Sequence, residues 1–201
     1  MAGGMKVNIG KGTLWIVTLT SVGFLLQVFF PVQTFDALAL VPRLVSAEPW
    51  RLVTYMFVHG SLEHLLMNLF AIFFFGLILE KDIGMKLFLS LYFISGIAGG
   101  YMQAYLFPTL PSVGASTAAF GIMGMLAFLR PMMLVVFVAV PLPLIIVVIG
   151  WAVSSYLLMN INDGIGRGAH LFGLLVGIAF GLAWRLTHKR MPESGGEEPE
   201  E

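Results

Sequence analysis

Cysteine is absent from all 201 residues, and charge is scarce, with Asp, Glu, Lys and Arg making up 11% of the chain. The first absence excludes disulfides, thiolate nucleophiles, iron–sulfur clusters and cysteine-ligated zinc. The second excludes an ordinary soluble domain, which carries about 25% charged residues. Acid and base balance to a net charge of zero, so no overall basic field exists to draw nucleic acid. Histidine is limited to four residues. A zinc site built from His59, His64 and His170 would lack a fourth ligand, and the chain has no HExxH pattern. No metal is expected.

Apolar residues are abundant. They make up 58% of the chain, and the mean hydropathy is +0.92, so the reading is an integral, all-α membrane protein in contact with the lipid bilayer. A spanning helix needs roughly 17–25 apolar residues, which places six spans near 13–30, 62–79, 87–107, 114–129, 142–159 and 168–186. The run 13–30 follows Lys6 and Lys11 like a signal peptide. It is longer than the ~7–15 residues of a signal core and no small-x-small cleavage site follows, so it reads as the first transmembrane helix. Residues 31–61 are expected to form a structured interfacial loop between the first two spans. The apolar stretch 132–140, bracketed by Pro131, Pro141 and Pro143, is too short to cross and is placed at the interface. Residues 1–12 are read as an N-terminal cytoplasmic segment, 13–186 as the six-helix domain, and 187–201 as a disordered polar tail.

Orientation follows from the positively charged residues, which favour the cytoplasmic side. With both termini inside, eight of the eleven Lys and Arg residues are cytoplasmic, and only Arg43, Arg51 and Arg167 are outside. In that arrangement Ser116, His170, His64 and Asn68 all lie in the first turns below the outer surface, although they come from three separate helices.

Each of these polar groups has a plain structural reading. Ser116 in GASTAAFG (114–121) could serve close helix packing, as small residues do in membranes. His170 could be a hydrogen-bonded structural histidine, and His64 with Asn68, four apart on one helix face, could join two helices. Together they form a chemical set. An imidazole that accepts the serine proton makes a nucleophile, and amide, imidazole or backbone N–H groups can hold the resulting oxyanion. Gly173, Gly177 and Gly181 recur every fourth residue in the sixth span, opposite Gly114, Ala118 and Gly121 in the fourth. Two such smooth faces can approach closely.

From about residue 50 to 186 the chain resembles the rhomboid intramembrane serine proteases. WR at 50–51 with FVHGSLEHLLMN at 57–68 is similar to the family's interfacial-loop and second-helix signature, GLILEKDIG at 76–84 to the end of that helix, GAST at 114–117 to its G-x-S-G motif, and AHLFGLLVG at 169–177 to A-H-x-x-G-x-x-x-G. The resemblance implies Ser116 as nucleophile and His170 as general base, a dyad without a carboxylate. It also implies oxyanion stabilisation by Asn68, His64 and the Ser116 backbone N–H, with Gly114, Phe120 and His59 in support. It implies no cofactor, and transmembrane protein substrates cut near the outer face of the cell membrane. Thr117 stands where the motif has glycine, and Phe120 where the family commonly has tyrosine stacked on the catalytic histidine. Both are expected to be tolerated. Glu80 and Arg51 are read as structural, in one loop–helix network, and Asp163 as a turn residue. Two rivals are a client-binding pseudoprotease, expected to have lost Ser or His, and a small transporter or channel, expected to spread its polar groups through the membrane depth. The substrate and the oligomeric state are not legible.

Overall fold

A computed structural model describes residues 10–137, 139–159, 161 and 166–188. Its helices are α1 (Lys11–Phe29), α2 (Pro31–Leu38), α3 (Arg51–Thr54), α4 (Leu62–Ile83), α5 (Met85–Leu106), α6 (Ser116–Leu129), α7 (Leu144–Leu157) and α8 (Arg167–Thr187). Six of them fall on the expected spans. Helices α1, α4, α5 and α8 are long and apolar enough to cross a membrane. Helices α6 and α7, at 14 residues each, extend about 21 Å, less than the ~30 Å hydrocarbon thickness. The expected N-terminal segment and polar tail lie largely outside the described residues, as does Asp163.

Helix α6 is apolar all round because protein surrounds it. It packs along α8 and also touches α5, α4 and α7, and nearly every residue from Thr117 to Leu129 is buried. Its seam with α8 is made of backbone. A methyl at Gly173 would strike the Thr117 carbonyl, one at Gly177 the Gly121 carbonyl, and one at Gly124 would lie 2.5 Å from the Leu174 carbonyl oxygen. Small residues let these axes approach, as the spacing predicts.

The segment 31–61 is indeed structured, as short helices tied by one cation. Arg51 is buried, pairs with the Glu48 carboxylate at 2.5 Å, and donates to the Ala39 and Asp36 carbonyls at 2.7 and 2.5 Å. This holds Leu40 where its backbone exchanges two hydrogen bonds with Ser112, at 3.0 and 2.9 Å.

Two readings need correction: the start of the fifth span and the partners of Glu80. β1 (Leu134–Phe137) and β2 (Val140–Pro143) form an antiparallel hairpin, with Val135 opposite Leu142 and Val136 opposite Pro141. The β-branched Val135, Val136 and Val140 favour strand, and both prolines sit on an edge strand, where a missing N–H is tolerated. The span placed at 142–159 therefore begins at Leu144. Glu80 is structural, yet it has no part in the Arg51 network. At the far end of α4 it accepts from the Gly12 and Thr13 N–H groups at 2.8 and 2.7 Å, and from the Thr13 hydroxyl at 2.8 Å. A carboxylate from one helix thus satisfies the first turn of another, whose N–H groups would otherwise be orphaned.

Candidate active site

Ser116 is the first residue of α6, and the chain reaches it through a fixed loop. Ser112 is held by Leu40, and the Gly114 N–H donates to the Tyr55 carbonyl at 2.9 Å. Gly114 has φ +116°, a conformation that side chains rarely adopt, and a Cβ there would lie 2.6 Å from His64 Cε1. The position needs glycine for both reasons. No side chain caps α6 at Ala115, so the helix start offers uncapped N–H donors and the positive end of its dipole at the serine.

Helix α8 brings His170 to the same point. Its Nε2 lies 2.7 Å from Ser116 Oγ, and the imidazole is buried. On its other side the Phe120 ring stacks at 4.5 Å between centroids and 18° between planes. This fixes the imidazole plane, and among the described residues no carboxylate is hydrogen-bonded to His170. The apolar ring serves because stacking uses the face of the ring.

Ser61 starts α4 by accepting from the His64 N–H at 3.1 Å, a capping interaction that places His64 in the first turn. One turn on, buried Asn68 donates from Nδ2 to the His64 carbonyl at 2.7 Å. An amide NH2 has two donors, so one remains for the cavity that Asn68 lines. That cavity has a volume of about 660 Å³ and also exposes Ser116, His64 and His170. Met67, Phe70 and Phe75 of α4 wall it on one side, Val147 and Trp151 of α7 on the other, and Val135 and Val136 of the hairpin also line it. All four principal residues read from the sequence therefore meet in one space.

Thr117 does not crowd the serine. Its methyl sits where a Cβ on Gly99 of α5 would go and is also near Gly173, so a glycine on the neighbouring helix accommodates the branched side chain. His59 is completely buried, and its Nε2 accepts from the Ala115 N–H at 3.3 Å. Burial, and secondarily nearby His64, pushes its imidazole down to about 3. The sequence reading missed Gln27. From α1, its amide donates to the His59 carbonyl at 2.6 Å and accepts from the His59 N–H at 2.9 Å. A lone amide in an apolar run was the available signal, since polar groups inside membranes carry a function by default.

Comparison with known proteins places this arrangement in a family. The Rhomboid domain model matches residues 46–186. The chain is 43% identical over 89 residues to Rhomboid-like protease 3 of Toxoplasma gondii, covering 44% of this chain and 34% of that one. It is 37% identical over 134 residues to the rhomboid-family protein YdcA of Bacillus subtilis, covering 66% and 65%. It is also 34% identical over 77 residues to Inactive RHOMBOID-like protein 8 of Arabidopsis thaliana, covering 38% and 22%. The chain thus spans less than two thirds of each of these relatives, and the relatives include both named proteases and a member named inactive. The matched domain covers most of the chain, and with the apolar helices it makes this a membrane-embedded, all-α protein of the rhomboid family.

Proposed function

We propose that the protein is an intramembrane serine endopeptidase that cleaves transmembrane segments of other proteins. The observation that carries the reading is the 2.7 Å contact between Ser116 Oγ and His170 Nε2 inside a cavity that also holds Asn68 and His64. His170 takes the proton as Ser116 Oγ attacks the scissile carbonyl carbon. The oxyanion is held by the Ser116 N–H, the Asn68 amide and the His64 imidazole. The imidazolium then returns its proton to the leaving amine, and water hydrolyses the acyl-enzyme with His170 again as base. A substrate helix reaches the cavity sideways, between α4 and α7. With both termini cytoplasmic, the cut falls near the outer face.

The intact dyad favours this reading over a client-binding pseudoprotease. Labelling of the purified protein by a fluorophosphonate tests it. Wild type should be labelled and should cleave a reporter transmembrane substrate. Ser116→Ala should do neither, and His170→Ala should be severely impaired in both. Labelling that persists in Ser116→Ala would end the reading. Orientation has its own test in a chain without cysteine. A cysteine at Ser112 should react with an impermeant thiol reagent from outside and one at Ser194 should not, whereas the reverse pattern puts the site on the cytoplasmic face.

A further inference from the structure

We infer that His59 is a positioning residue for the nucleophile, held in place by Gln27 of the first helix. The inference rests on the protease reading. His59 lies in the short connection between Phe57 and α4, where its exposure is zero. Its Nε2 accepts the N–H of Ala115, the residue immediately before Ser116. The edge of its ring meets His64 at 5.0 Å between centroids, and His64 in turn lies against Gly114. One imidazole therefore touches both sides of the cavity mouth, the loop that delivers the serine and the helix start that delivers His64 and Asn68.

The imidazole is itself anchored through its backbone. The Gln27 amide pairs with both the N–H and the C=O of His59, as a neighbouring strand would. No other side chain is paired this way with both backbone groups of one residue among the described hydrogen bonds. Gln27 is far from the reacting atoms in sequence and contributes nothing to the cavity lining. Its role is to fix where His59 sits, and the role of His59 is to fix Ala115. Nε2 must carry the lone pair to accept from an N–H, so the proton is on Nδ1.

This tautomer makes the inference testable. A glutamine at position 59 can place its Oε1 close to where Nε2 stands and accept the same N–H. An asparagine places its oxygen near Nδ1, one bond short. A residue that only filled space would be replaced equally well or badly by the two amides. His59→Asn should lower kcat on a reporter transmembrane substrate about a hundred-fold, the scale of a 1 Å misplacement. It should slow fluorophosphonate labelling in parallel and leave KM unchanged, because the small probe senses the nucleophile and not substrate docking. His59→Gln should recover both rates to within a small factor of wild type at a Tm similar to that of the Asn variant. Gln27→Leu should act in the same direction, and combined with His59→Asn it should cost less than the two separate losses together, since both break one chain of contacts. Equal losses in the Gln and Asn variants, or additive losses in the double variant, would overturn the positioning role and leave the protease reading intact. A wild-type protein that neither cleaves nor is labelled overturns both.

Discussion

The α6–α8 seam gives a sharp quantitative expectation for Gly173→Ala. The added Cβ would stand 3.0 Å from the Thr117 carbonyl carbon and closer still to its oxygen. Non-bonded carbons settle at about 3.5–4.0 Å, so α8 must retreat from α6 by about 0.5–1 Å at this level. His170 is three residues away on α8, and Thr117 adjoins Ser116. The 2.7 Å Ser116–His170 contact would open to about 3.2–3.7 Å, into the range where hydrogen bonding ceases. The expected loss is about a hundred-fold in kcat, equivalent to roughly 2.7 kcal/mol of barrier. Overpacking adds about 1–3 kcal/mol of lost stability, so rates must be read well below the Tm, on reporter cleavage and fluorophosphonate labelling together. Gly181→Ala is the matched control. It lies on the same seam, but its Cβ would meet the Phe128 ring at 2.8 Å, and a ring can rotate away where a carbonyl cannot. Turnover in Gly173→Ala within a few-fold of wild type would refute the claim that backbone contact sets the dyad distance.

Asn68→Ala should slow turnover about a hundred- to a thousand-fold, the cost of one oxyanion donor, with a small change in Tm; a lowered Tm with normal turnover would make Asn68 a helix fastener. Glu80→Gln should lower stability by about 1–3 kcal/mol, because two N–H groups and a hydroxyl lose a carboxylate. Glu80 is sixteen residues along α4 from His64, or about 24 Å, so the folded variant should cleave at the wild-type rate. His59 should make the fold acid-sensitive. Its folded-state value of about 3 lies below the ordinary 6.5, so its contribution is full above pH 6.5 and is lost as pH falls below it. The loss is about 2 kcal/mol at pH 5, and His59→Gln should make the fall in Tm between pH 6.5 and 4 shallower.

The helices and the Ser116–His170 contact were legible because each depends on local signals. Hydropathy alone marks a span, and Ser116 and His170 each lie in the first turn of a helix whose small residues announce close packing. The hairpin was not legible as such. A nine-residue apolar run has no period that separates strand from buried helix, and the partner strand overlaps the segment that hydropathy assigns to the next span. The same limit hid Gln27, which is 32 residues from His59. Its role exists only once α1 stands beside the connection into α4. Glu80 was recognised as structural, but its partners at Gly12 and Thr13 depend on how α1 meets α4. Thr117 looked like an intrusion until Gly99 of a different helix was seen to make room for it.

The seam between α6 and α8 divides the protein into a fixed jaw and a compliant one. Where peptide groups touch, separation is set by covalent dimensions, and rotamer changes cannot relax it. Helix α7 buries only Leu144, Val147, Val148 and Ser155, and these side chains can reorient. On the proposed protease reading, widening to admit a substrate helix would therefore fall on α7 and the adjacent hairpin, away from the Ser116–His170 contact. Bilayer thickness, lipid composition and temperature should change how often the jaw opens far more than how serine faces imidazole once it has closed. Variation in those conditions would then appear in access kinetics, while the intrinsic rate of bond cleavage stays nearly constant.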